Sequence, residues 1–484
     1  MRTAVVAGGG LAGITAACDL ADAGYRVTLI EKRPFLGGRS YSYTDKETGA
    51  TVDNGQHVFL GCCTEYIRLL NRLGVRDRAY LQKRMRVPVV DKVWGASVLR
   101  ATDLPPPLHL LPSLLRFKSL SPTEKAAAGW ALAHIQCLDR SRHPELDGVT
   151  FAEWLREKRQ SPNAIRSLWN LITLPTLNGD ISEVNADLAL MVFQEGFLRS
   201  RTGANVGWSK VGLSELIGEA ARRYIEDRGG EIRLGEGIRT VETDDGRVGR
   251  VLTDGGDITA DAVVLALDPQ SLPDVLPGSV GDDPFFTRIQ RLEPSPIVNL
   301  HLWYSGGVVW DHSFAAFLNT PVQWLFNKTR LLTERTVGAQ QPQHDIPSSD
   351  DEDAVAAPLP RQSSGDTVYL DVSLSGALQW VDLPNAELLT LFTKELWSLL
   401  PGLRGATLDR ALVVKQRHAT FAPLPGVAAL RPSQRTPVTG LYLAGDYTST
   451  GWPATMESAV RSGALAVQAI VENSTSVTES ASRT

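Results

Sequence analysis

The 484-residue chain has only four cysteines, at positions 18, 62, 63 and 137. None stands in a CxxC or histidine-paired spacing, so neither a disulfide framework nor a metal site is expected. Such sparse cysteine usage suits a reducing, cytoplasmic compartment. No stretch reaches the ~18 uninterrupted apolar residues that a membrane-spanning helix needs, so any membrane contact is expected to be peripheral. There is no excess of positive charge either. The formal net charge is −5 and the basic residues are scattered apart from Lys83, Arg84 and Arg86, which argues against nucleic acid as a partner. Arg2 precedes a small apolar run like that of an export signal, but Gly8, Gly9, Gly10 and Gly13 interrupt it and form a motif that cleavage would destroy. What remains is an ordinary globular composition, 43% hydrophobic and 21% charged, in a chain long enough for two or more domains.

The opening pattern is βαβ. Thr3 to Ala7 is a short apolar run ending in glycine, Leu11, Ile14, Cys18 and Ala21 recur at helical spacing, and Arg26 to Ile30 reads as a second buried strand. Gly230 to Val241, Ala260 to Leu267 and Gly440 to Ala444 predict further strands of the same layer, followed by a helix from about Pro453 to Val471. Two long stretches differ from these: residues 80–201 are mostly helical in pattern, with Trp130, Trp154 and Trp169 among apolar spacings, and 294–400 alternate as strands. The expected fold is therefore α/β. A Rossmann-type cofactor-binding domain (1–79, 202–293, 401–473) is interleaved with an α+β substrate-binding domain (80–201, 294–400). Residues 333–366 lack periodicity and are expected to be a disordered insertion, and 474–484 a solvated tail.

Three motifs carry chemistry. Gly8-x-Gly10-x-x-Gly13 follows a strand and opens a helix at Leu11 and Ala12, with Glu31 ending the next strand. Its glycines let backbone N–H groups approach a pyrophosphate, and the acid accepts from a ribose hydroxyl. Gly37-Gly38-Arg39-Ser40 follows at the spacing that marks FAD rather than NAD, with the arginine beside the diphosphate. About four hundred residues on, Gly445-Asp446 ends a strand, and Pro453-Ala454-Thr455-Met456 opens a helix whose N-terminus would face a flavin. A second GxGxxG is missing, so no nicotinamide domain is expected and a separate electron donor or acceptor is implied.

With these residues in place the sequence resembles the squalene-associated FAD-dependent desaturases, or hydroxysqualene dehydroxylases, within the flavin amine oxidase and phytoene desaturase superfamily. The resemblance is carried by Asp53 to His57 with Leu60 to Cys62, Trp169 to Asn178, Pro321 to Asn327, Ala419 to Phe421, and Gly445 to Ala459. Two departures stand out: the 169–178 region lacks an early proline, and the acidic insertion is foreign to the pattern. The resemblance implies FAD and an amine-oxidase-like fold. It also implies Lys32, Gly55, Gln56, His57 and Ile238 as further cofactor contacts, and reduction of hydroxysqualene to squalene with loss of water, flavin N5 being the hydride donor.

That reaction needs a proton for the leaving oxygen, and His57 is the candidate, since an ordinary imidazole titrates near neutrality; a structural histidine holding a backbone group is the alternative. Trp324, Phe421 and Trp452 are candidates for an aromatic substrate channel, or else for plain core. A hydrophobic isoprenoid substrate would come from a bilayer, and Leu104 to Phe117 could dip into its interface, unless it is a proline-kinked core segment. Carotenoid desaturases and amine oxidases share the same flavin motifs. Rab GDP-dissociation inhibitors use the fold without flavin, as lipid carriers.

Overall fold

The computed structural model describes residues 1–481 apart from 48, 307, 309 and 334–366, so the expected insertion lies, but for Thr333, outside the described residues. Five parallel strands form the first layer, in the order Glu231–Leu234, Arg26–Glu31 (β2), Thr3–Ala7 (β1), Ala262–Leu265 and Leu441–Leu443. Such strands are covered on both faces and read as continuous apolar runs, as Ala262–Leu265 does. The predicted strand from Gly230 to Val241 divides in two. Gly235 adopts a positive φ of 72°, ending the parallel strand, and Ile238–Asp244 joins a separate antiparallel three-stranded sheet.

The helix Leu11–Asp22 (α1) is buried nearly all round. One side lies on the parallel sheet and the other meets the C-terminal helix Met456–Ala481. A Cβ on Gly463 of that helix would come 2.3 Å from the carbonyl oxygen of Ala12, so the two ends of the sequence cross at backbone contact. The C-terminal helix begins after Pro453 and runs past Ser474, where a solvated tail is predicted from the sequence.

A seven-stranded sheet caps this layer, in the order Thr407–Phe421, Pro294–Ser305, Val368–Leu374, Trp324–Asn327, Phe314–Leu318, Arg86–Asp91 and Gly95–Arg100. All neighbours are antiparallel except Phe314–Leu318 with Arg86–Asp91. Thr407–Phe421 pairs with Pro294–Ser305 here, although its sequence position groups it with the cofactor-binding segments. The stretch from 111 to 198 is largely helical, with capping boxes at Ser121/Glu124 and Thr150/Glu153 fixing two helix starts. Trp154 and Trp169 are buried in that part, and Trp130 is exposed.

Gly463→Ala separates two effects of opposite sign. Helix propensity alone would stabilise by about 1 kcal/mol, whereas forcing a methyl against the Ala12 carbonyl should destabilise by about 1–3 kcal/mol. A lowered urea midpoint is the expected result.

Candidate functional site

The turn between β1 and α1 is built from close approaches. Gly8 has a φ of 101°, and a Cβ on Gly13 would lie 1.9 Å from the Gly8 carbonyl oxygen. Gly10 caps α1 with extended backbone and no side-chain hydrogen bond, so the first N–H groups of the helix, at Leu11, Ala12 and Gly13, have no side-chain acceptor. Across from it, Gly38 has a φ of 59°, and its Cβ would come 2.8 Å from Gly10 Cα. Glycine backbone faces glycine backbone here, at the positive end of a helix dipole, which is the arrangement that receives a diphosphate. Glu31 is buried beside it. One carboxylate oxygen accepts from Gly9 N–H at 2.7 Å and the other from Arg33 N–H at 2.9 Å. Lys32 is exposed, and Ser40 is buried.

Arg39 reaches across to the far end of the sequence, donating to Asp446 Oδ1 at 2.5 Å and to the Ala419 carbonyl at 2.9 Å. Gly445 N–H is held by Ser462 Oγ at 2.8 Å, and Asp446 O accepts from Ser458. Arg431, which no sequence pattern marks, binds the carbonyls of Asp446 and Thr448 at 3.0 and 2.6 Å and stands 5.0 Å over the Phe421 ring. Burial draws its guanidinium down to about 10. The Tyr447 hydroxyl is buried without a protein partner among the described residues. Pro453 is buried, with Ala454, Thr455 and Met456 half-buried at the helix start. Glu457 turns away to accept from Glu65 and Tyr66 N–H groups, capping another helix.

The segment Asp53 to His57 meets the cap sheet. Lys328, which follows the strand Trp324–Asn327, donates to Asp53 Oδ2 at 2.6 Å and to Gln56 Oε1 at 2.8 Å. The pair is 3% and 5% exposed. Although burial raises the Asp53 carboxyl, Lys328, Ser42 and the Leu213 N–H together hold it below its usual range. A Cβ on Gly55 would lie 2.7 Å from Asn299 Oδ1, and that oxygen has no partner among the described residues. Asn299 Nδ2 donates to Asp371, and His301 Nδ1 pairs with the Tyr369 hydroxyl at 2.8 Å.

Strand register puts Asn299, Ser373 and Trp324 in one cross-strand row and His301, Asp371 and Phe326 in the next, all on one face of the cap sheet. Trp324 stacks on Phe326, and Phe314 packs on Trp208. At the other end Trp303 stacks on Tyr369 at 4.4 Å and closes over Val52.

The expectation that His57 is a near-neutral acid fails here. Burial first, and then the Lys328 and Arg39 cations against the opposing Asp53, push its imidazole down to about 4. At neutral pH the ring is uncharged. The three aromatic channel candidates also separate: Trp324 lies on the cap-sheet face, whereas Phe421 sits under Arg431 and Trp452 under Arg461. Ile238 opens its own small sheet and is half-buried. Trp169 and Asn178 are structural, bonding to Gln160 and to Ser295 and Thr420.

Residues 11–471 match the family of flavin-containing amine oxidoreductases. The chain belongs to this family. Tomato (Solanum lycopersicum) 15-cis-phytoene desaturase is 27% identical over 482 residues, 97% of this chain and 77% of that protein. Zeta-carotene desaturase from Zea mays is 29% identical over 487 residues, 96% and 82% of the respective chains. Among solved structures, an oxidoreductase from Methanosarcina mazei superposes with a TM-score of 0.70 at 18% identity, covering 97% of this chain and all of that one. Cyclohexylamine oxidase from Brevibacterium oxydans gives 0.66 at 21% identity, covering 98% and 99%. This family member is an FAD-dependent oxidoreductase with the amine-oxidase-like fold. The glycine cradle, the uncapped α1 N-terminus and the unpartnered Tyr447 hydroxyl and Asn299 Oδ1 fit such a cofactor.

Two measurements probe the site. Gly38→Ala places a methyl on Gly10 at a left-handed position, and should weaken FAD binding by about tenfold while leaving the fold intact, read by flavin titration. Lys328→Met strands the Asp53 carboxylate and should destabilise by about 3–5 kcal/mol at pH 7, with Asp53→Asn/Lys328→Met recovering part of the loss. Because the folded Asp53 pKa is depressed, its stabilisation is complete above the ordinary carboxylate range and fades as pH falls through it. The gap between wild type and Lys328→Met should narrow in acid accordingly.

Proposed function

We propose that this chain transfers hydride to or from a long linear isoprenoid, with Gly8, Gly10 to Gly13, Glu31, Lys32, Gly37 to Ser40, Gly55 to His57, Ile238, Gly445, Asp446 and Pro453 to Met456 holding FAD. The bound flavin supplies the two-electron chemistry. The observation that carries the substrate class is Lys328. A protonated amine is best held by a free carboxylate, yet the acid at this site, Asp53, is already paired with the buried Lys328 ammonium. The neighbouring sheet face offers Trp324, Phe326 and Phe314 instead, an apolar wall suited to hydrocarbon. For about thirty carbons, at ~0.8 kcal/mol per buried CH₂, such a wall supplies binding that needs no charge.

The two carotenoid desaturases favour removal of hydrogen from an isoprenoid chain. In that direction hydride would pass to the flavin and the proton lost from the adjacent carbon needs an acceptor, a role open to the His57 imidazole, while the other residues align the chain. A second reading, reduction of hydroxysqualene to squalene, draws on the sequence resemblance at Pro321 to Asn327 and Gly445 to Ala459. There a proton must reach the leaving oxygen. With His57 neutral, the ammonium of Lys328, two of whose three N–H groups are engaged by Asp53 and Gln56, is the donor this segment presents.

Side-by-side assays decide between them. Oxidised enzyme with phytoene and a quinone acceptor should yield a more unsaturated product if desaturation is right. Anaerobically reduced enzyme should be reoxidised by hydroxysqualene, with squalene formed, if the second reading is right. Turnover of putrescine or cyclohexylamine with neither isoprenoid reacting would defeat both.

A further inference from the structure

Seven of the large apolar side chains left exposed fall within one short segment: Val93, Trp94, Val98, Leu104, Leu108, Leu111 and Leu115. They lie along one edge of the cap sheet. Gly95–Arg100 is the edge strand, and Val93 and Trp94 form the tip of its hairpin with Arg86–Asp91. Asp91 fastens that tip, accepting from the N–H groups of Val93 and Trp94 and from Ser119 Oγ at 2.6 Å. Ser113 Oγ binds the Arg100 backbone, and Lys118 N–H donates to Ser97, which lays the helix Leu111–Arg116 against the edge strand.

The helix is turned in an unusual way. Leu114 and Phe117 are buried, and Leu110 is half-buried, so the segment does contribute to the core. But Leu104, Leu108, Leu111 and Leu115 follow at helix-like intervals on the solvent side, with Leu108 and Leu115 50% and 58% exposed. Val93 and Trp94 are 66% and 56% exposed. Isolated exposed leucines are unremarkable, but a run of this kind marks an interaction surface.

Charge selects the partner. From 83 to 118 the chain carries seven basic residues against two acidic ones, in a protein whose net charge is −5. Of the two acids, Asp91 is consumed by the hairpin tip, and Asp103 pairs with Arg84. Arg86, Arg100, Arg116 and Lys118 are exposed around the apolar stripe, whereas Lys92, also exposed, is paired with Glu395. An apolar strip bordered by cations, on a protein of opposite overall sign, complements an anionic bilayer. No helix among the described residues is long and apolar enough to cross a membrane.

We infer that this edge, formed by the 92–98 hairpin and the Leu104–Leu115 stripe, docks the protein onto the surface of an anionic phospholipid bilayer. The inference deepens the isoprenoid reading, on which it rests for what the docking serves: the substrate would enter from the lipid phase.

The test uses the FAD-loaded full chain in flotation with phosphatidylglycerol–phosphatidylcholine vesicles. Wild type should float, and float less with phosphatidylcholine alone. Leu108→Glu/Leu111→Glu/Leu115→Glu should bind about tenfold less while keeping its flavin absorbance, as these side chains leave the core untouched. Arg116→Glu/Lys118→Glu should lose binding only to the anionic vesicles. Equal flotation of wild type and the leucine variant overturns the proposal. So does a wild type that ignores vesicles but forms dimers that the leucine variant abolishes, which would give the face to a second copy. Failure of the isoprenoid reading would look different: vesicle binding lost on cue, but no turnover of isoprenoids by wild type in vesicles or in detergent.

Discussion

The ion pair between Arg39 and Asp446 joins residues more than four hundred positions apart, and much of the site's form depends on it. Neither partner could be placed alone. Arg39 stands at the end of a glycine pair whose backbone is pressed against Gly10, and Asp446 sits in a loop that Arg431 straps down through three successive backbone carbonyls. The helix crossing at Gly463 brings these segments into range by letting the last helix touch the first at backbone distance. A cradle assembled from both ends of a chain exists only when the whole layer is folded, so cofactor binding and global stability should be coupled.

The second constraint is electrostatic. Burying Lys328 and Asp53 together costs desolvation, and apolar pairs of similar volume often serve stability as well as or better than buried ion pairs. Their retention beside Gly55 and Gln56 is better understood as a demand of the site. The pair fixes the Asp53–His57 turn against the cap sheet and supplies a cation where a cationic substrate would otherwise bind. One interaction thereby sets both the shape of the turn and the sign of its potential.

The parallel layer was legible in the sequence because its signals are local. β1, α1 and β2 are announced by apolar runs and glycines within thirty-one residues, and Gly445-Asp446 by a strand that ends in a turn. Elements fixed by distant partners were not. Nothing before Gly235 says that the strand stops there, and nothing in Thr407–Phe421 says that it pairs with Pro294–Ser305 rather than with the cofactor layer. The same holds within the site. His57 looked like an acid because its type and neighbours suggested one, but its imidazole is drawn down by burial, against the nearby Asp53 carboxylate, and burial is set by the packing of distant segments. Lys328 itself follows directly on the recognisable Pro321–Asn327 run, and a lysine ending a buried strand was the one available hint. Arg431 had none.

Two buried polar atoms on the cap-sheet face, Asn299 Oδ1 and His301 Nε2, lack partners among the described residues. Each such atom costs about 1–3 kcal/mol if it stays unpaired. Both are on the face that meets the Asp53–His57 turn, and Asn299 Nδ2 and His301 Nδ1 are anchored by Asp371 and Tyr369, so the free atoms cannot simply rotate toward a protein group without breaking an existing bond. Unsatisfied polar atoms held this rigidly in a core are hard to reconcile with selection for stability alone, and much easier with a site that pairs them when loaded. An acceptor fixed at 2.7 Å from where a Gly55 side chain would begin also explains why that position is glycine. Any Cβ there would displace Asn299 and with it the link to Asp371, so the turn and the cap sheet can only be read as one constructed surface.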